Sequence, residues 1–205
     1  MNRSHVIELA ARLGMIGPVL FALIAAGLTI AQADFMRSIG WEPFGNVLDW
    51  PSGLALGPYG WLMTVTFPVA GAAIVFFAYG LRLALEERLG TTLMMLAGFA
   101  MMGLAFTTDL TLSPAPRTWH GILHDSFFGL LGLTLMPSML VLGFVFRRKE
   151  YWRNLATYTW VAAAFAFPAF WLKGAAFYLF LLAILAWNEL IALRLQRARD
   201  FSSGG

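Results

Sequence analysis

The stretch FTTDLTLSPAPRTWHGILHDSFF, residues 106–128, closes one long apolar run, crosses a loop punctuated by Pro114 and Pro116, and opens the next run. An apolar run on each side of a short polar loop predicts two antiparallel helices joined at a membrane edge. The same stretch holds Asp109, His120, His124 and Asp125, so two of the three histidines and two of the eleven acids of the chain are gathered there. The fold and the candidate chemistry are therefore both read from this junction.

Outward from it, the composition follows the same theme. Of 205 residues, 60% are hydrophobic and 12% charged, and the mean hydropathy is +0.72. Soluble domains carry about 25% charged residues, so this chain reads as an integral membrane protein. The net charge of +3 does not point to nucleic acid, because the basic residues form short clusters between apolar runs. The absence of cysteine excludes disulfides, thiolate metal sites and a cysteine nucleophile.

A membrane-crossing helix takes about 20 apolar residues. Six spans are expected, at about 13–33, 61–81, 91–108, 120–146, 155–172 and 175–193, forming an all-α six-transmembrane-helix bundle in one domain, 1–205. Pro18, Pro68, Pro137 and Pro168 mark expected kinks. Eleven of the fourteen Lys and Arg fall on one side of such a threading, among them Arg82, Arg88 and Arg147-Arg148-Lys149. Only Arg37, Arg117 and Lys173 fall on the other, which places both termini in the cytoplasm. Ala31-Gln32-Ala33 resembles a leader-cleavage site, but the preceding run is longer than a leader's, so retention as a helix is expected.

The 34–60 segment is an outer loop rich in aromatics, with Trp41, Phe44, Trp50 and Tyr59 leading to Trp61, and is expected to lie on the headgroups or to form a lid. On the cytoplasmic side, Glu8 with Arg12 and Arg82 with Glu86 have the four-residue spacing of solvated helix pairs. Glu189 reads as an interfacial acid near the end of the last span.

At the junction, His120 and His124 are one helical turn apart, so both imidazoles can face one metal ion. Asp109, at the end of the third span, emerges at the same edge. A divalent metal such as zinc, with His120, His124 and Asp109 as ligands and Asp109 or Asp125 as catalytic acid or base, would make a centre that activates water. The structural alternative is a polar helix-entry cluster in which Asp109 hydrogen-bonds His120 or the start of the fourth helix. From His124 to Phe146 the helix rises about 33 Å, which puts His124 near the hydrocarbon edge, where polar groups are tolerated without a functional reason. The central part of every span lacks ionisable groups, which argues against a pump or coupled transporter. Haem is disfavoured because both histidines share one helix face.

Three stretches carry a family resemblance: Ser52-Gly-Leu-Ala-Leu-Gly-Pro-Tyr-Gly-Trp61 with Phe67, Gly71 and Gly80-Leu-Arg82; Phe106-Thr-Thr-Asp109; and Thr118-Trp-His-Gly-Ile-Leu-His-Asp125. They resemble the six-helix membrane family catalogued as domain of unknown function 998, with Thr107 and Leu110 standing where that family often has proline. The resemblance implies a six-helix fold and directs attention to the same His and Asp residues, without implying an activity. A more distant similarity, of pattern only, is to seven-helix zinc hydrolases of the alkaline ceramidase and receptor-like superfamily, from which this chain differs by one helix and one histidine.

Two functions follow from these readings. One is a metal-dependent hydrolase of a lipid or lipid-linked substrate at the outer face. The other is a non-catalytic lipid-binding, sensing or partner-subunit protein. Membrane lipid is the expected partner in both.

Overall fold

A computed structural model describes residues 2–41, 51–110, 115–169 and 175–202. Apolar sequence without a period-two pattern folds as helix throughout, and no strand occurs among the described residues. The elements are α1 (Arg3–Ala31), α2 (Ala33–Ser38), a 3-10 turn at Pro51–Leu56, α3 (Gly60–Leu85), α4 (Leu89–Gly103), α5 (Trp119–Arg148), a 3-10 turn at Glu150–Trp152, α6 (Arg153–Ala169) and α7 (Ala175–Ser202). Four helices, α1, α3, α5 and α7, are long and apolar enough to cross a membrane. Pro18, Pro68 and Pro137 lie inside α1, α3 and α5 without ending them.

The six long helices pack as a closed ring, in the order α1, α3, α4, α5, α6, α7 and back to α1. Each turns apolar side chains outward, among them Leu23, Val69, Phe99, Leu133, Phe165 and Leu182, one from each helix. That pattern is the inverse of a soluble bundle and suits an apolar solvent. Inside, one cluster centres on Phe77, Leu81, Met94, Met139, Leu142 and Trp187. A second centres on Phe21, Met36, Trp41, Leu54, Met63, Phe67 and Leu104. A cavity of about 130 Å³ adjoins both clusters, with walls from α1, α3, α4, α5 and α7.

Short-range chemistry closes the ring. Small residues bring α3 and α4 into backbone contact at Gly71 and Gly98. Ser138 of α5 donates to the Gly90 carbonyl of α4 at 2.7 Å. Thr159 of α6 accepts from the Trp187 indole of α7 at 3.0 Å, and the Tyr158 hydroxyl donates to the Ala183 carbonyl at 3.1 Å. In a medium without water such polar contacts, with close packing, do much of the work of helix association.

Several details depart from the sequence reading. α4 ends at Gly103, five residues before the apolar run does, because residues 104–106 tighten into i→i+3 turns. The Phe127 ring also lies where a side chain at position 103 would stand. Glu86 does not pair with Arg82. It takes a left-handed backbone conformation (φ 56°) at the end of α3 and meets Arg3 at 3.0 Å, whereas Glu8 and Arg12 pair at 2.6 Å as their spacing predicts. Trp41 does not rest on a surface: it is 1% exposed, packed among Met36 and Leu54. Tyr59 and Trp61 do face outward. Phe44, Trp50, Lys173 and the end of the expected fifth span lie outside the described residues. Glu189 has one carboxylate oxygen buried without a hydrogen-bond partner among the described residues.

Gln32, read in sequence only as part of a cleavage-like triplet, is 3% exposed. Its amide donates to the Leu54 carbonyl at 2.7 Å and accepts from the Tyr59 N–H at 3.3 Å. It thereby ties the end of α1 to the turn that leads into α3.

Candidate functional site

The junction is built on the start of α5. Thr118 has extended backbone geometry (φ −80°, ψ 158°) and caps the helix, its hydroxyl accepting from the Gly121 N–H at 3.1 Å. A threonine there satisfies one of the donors that every helix start leaves open. Asp109 then closes around Thr118: one carboxylate oxygen accepts from its hydroxyl at 2.5 Å, the other from its N–H at 2.9 Å. Arg117 completes the pair, with its Nε 3.1 Å from Asp109 and its other end paired to Asp125. Asp109 presses so close to the helix that a Cβ on Gly121 would stand 2.1 Å from its carboxylate. That contact accounts for glycine between the two histidines.

Both imidazoles face backbone. His120 Nδ1 lies 2.9 Å from the Thr107 carbonyl and 3.0 Å from the Thr118 hydroxyl oxygen. His124, 4% exposed, places Nδ1 2.7 Å from the Phe106 carbonyl and 3.1 Å from that of Leu104. Carbonyls only accept, so these partners assign the proton to Nδ1 in both rings. The His124 bonds also satisfy carbonyls freed where α4 stops at Gly103. Phe67 meets the His124 ring edge-on, with centroids 6.3 Å apart, and Trp119 packs against both His120 and Phe106.

The cluster is therefore a set of ties between the end of α4 and the start of α5. Asp109, His120, His124 and Asp125 all sit at this junction, but Asp109 engages Thr118 and Arg117, and Asp125 engages Arg117. Among the described residues no group of three or more His, Asp and Glu side chains is arranged to hold a metal ion. The hydrogen bonds of both rings are made by Nδ1, and neither Nε2 makes one among the described residues. Arg117 and Thr118 were not singled out from sequence as members of the site. Thr118 was legible as a threonine directly before an apolar helix, whereas Arg117 carried no local signal beyond its charge.

The Thr118 hydroxyl and then the Thr118 N–H hold the Asp109 carboxyl below its ordinary value of 3.8; burial opposes them, and the Arg117 charge and last the His120 charge add smaller downward pushes. With the folded value below the unfolded one, the clamp contributes fully above 3.8 and is lost as pH falls through the folded value. Melting curves across pH should show wild type above Asp109→Asn by a constant margin near neutrality. The margin should shrink below about pH 4, where the unfolded chain takes up the proton first. A margin independent of pH would contradict the clamp.

An all-helical chain whose helices turn apolar side chains outward, four of them long and apolar enough to cross a membrane, is a multi-pass membrane protein. It belongs to the family described as Protein of unknown function (DUF998), whose profile it matches over residues 15–195, a span that includes the whole junction. No curated protein and no solved structure matches the chain.

Proposed function

We propose that this is a non-catalytic protein of the prokaryotic cell membrane, with six spanning helices, both termini in the cytoplasm and membrane lipid as its partner. Its His/Asp cluster clamps the outer ends of α4 and α5. The observation that carries this reading is Asp109, whose two oxygens are both taken by the cap residue of α5. A metal ligand or general base needs a lone pair aimed at its target, and three of the carboxylate's roughly four acceptor sites are engaged by the Thr118 hydroxyl, the Thr118 N–H and Arg117.

The outward apolar side chains of α4 and α6 support spanning roles for these helices as well. At 15 residues α4 rises only about 22 Å, and the bilayer thins locally or polar flanking residues reach up to meet it. The bias of Lys and Arg supports the orientation. One observation favours the competing hydrolase reading: neither imidazole Nε2 makes a hydrogen bond among the described residues.

Asp109→Asn and His120→Ala should each lower the melting temperature in detergent. Each should still restore, at normal expression, whatever phenotype deletion of the gene produces. Loss of complementation by a variant that melts like wild type would overturn the clamp reading.

A further inference from the structure

We propose that the cavity inside the helix ring binds one linear hydrocarbon chain of a membrane lipid. The proposal rests on the membrane-embedded part of the reading above and not on the role of the His/Asp cluster. Its walls are apolar, from Phe21, Ala97, Leu131 and Phe180 among others. Two lining side chains carry N–H groups, Trp187, whose indole is taken by the Thr159 hydroxyl oxygen at 3.0 Å, and the Asn188 amide. That amide donates to the Gly14 carbonyl at 2.8 Å. A buried water needs two to four polar partners, so the space is dry. Its volume of about 130 Å³ is close to that of apolar cavities, about 150 Å³, that stay dry and take up hydrocarbon ligands.

Shape selects the ligand. On α7 the walls run from Phe177 to Asn188, about 16 Å of helix, and on α5 from Phe128 to Leu135, about 10 Å. A small volume drawn out along the helix axes is a slot for a single chain, not a chamber for a fused-ring compound. Phe177 is in ring contact with both Phe128 and Phe180 at one end, with centroids 6.5 and 5.8 Å apart, and Asn188 with Gly14 marks the other. An empty slot forfeits the dispersion contacts of its lining, and the surrounding bilayer supplies chains that restore them.

The test uses full-length protein in mild detergent, incubated in separate arms with palmitate and with dipalmitoyl phosphatidylcholine, and read by native mass spectrometry. Wild type should retain one adduct per chain in at least one arm, and the arm identifies a free acid or a phospholipid as the source. Ala97→Phe on α4 and Leu131→Trp on α5, which fill the slot, should reduce retention at least tenfold while melting no lower than wild type. Should both variants fail to fold, the wild-type melting temperature should still rise saturably at one equivalent of the retained probe. No retained adduct in either arm, equal retention in folded filled variants, or a melting temperature that climbs without saturating would overturn the proposal. None of these outcomes bears on the clamp, whose substitutions lie outside the cavity.

Discussion

Gly71→Leu is expected to abolish the folded ring, giving aggregated protein on size exclusion. α3 and α4 touch backbone to backbone at this point. A Cβ at residue 71 would stand 2.5 Å from the Gly98 carbonyl oxygen and 2.8 Å from the Met102 nitrogen. The contact is reciprocal, since a Cβ at residue 98 would meet the Gly71 oxygen at 2.8 Å. Main-chain atoms within helices cannot rotate aside as a flexible side chain can, so the helices must separate along their length. Overpacking a core costs about 1–3 kcal/mol where neighbours can adjust; with backbone on both sides the upper end or beyond, about 3 kcal/mol or more, is expected. Since lipid chains are as apolar as leucine, no hydrophobic gain offsets the lost packing. Gly129→Ala is the matched control: nothing lies within 4 Å of its Cβ position, and its gain in helix propensity should leave melting unchanged or slightly raised. A Gly71→Leu protein that is monodisperse and melts like wild type would refute the backbone contact.

Asn188→Leu should give the second large effect. Pro18 has no N–H, so the carbonyl four residues earlier, that of Gly14, lacks its helical donor. Asn188 reaches across from α7 to supply one, at 2.8 Å with the amide 7% exposed. The residues are 174 positions apart, and the bond fastens the last helix of the ring to the first. Hydrogen bonds between membrane helices contribute about 0.6 kcal/mol on average and up to about 1.7. An orphaned buried carbonyl adds its own penalty, so about 1–2 kcal/mol is expected for Asn188→Leu. The mechanism fixes a coupling as well. In a Pro18→Ala background residue 18 regains an N–H for the Gly14 carbonyl, and Asn188→Leu should then cost clearly less. Additive effects in the four-protein cycle would show that Asn188 acts by some other route.

These contacts define what the sequence could convey. Composition and run length sufficed for an all-helical membrane chain, because an apolar solvent admits few alternatives. The short loop between α4 and α5 sufficed to bring Asp109 to the start of α5, since antiparallel neighbours share an edge. Which partner Asp109 would choose was not legible: His120 and the helix start were both within reach. The N–H and hydroxyl of the cap residue Thr118 took the carboxylate while His120 turned to the Thr107 carbonyl. Gln32 with Leu54 and Asn188 with Gly14 were invisible for a different reason. Each depends on a carbonyl exposed by local backbone geometry, and spacing along the chain does not encode which distant amide will meet it. Glu86 illustrates the same limit on a smaller scale, because four-residue spacing predicts a pair only while the helix continues, and α3 ends there.

The central claim is that the His/Asp junction is a clamp rather than a metal-dependent reaction centre. Elemental analysis of Zn, Mn and Fe in wild-type protein, purified without chelator beside His124→Ala, tests it most directly. The clamp account predicts metal far below one equivalent per chain in both, with the variant distinguished by a lower melting temperature. One equivalent of metal in wild type, lost in His124→Ala, would contradict it.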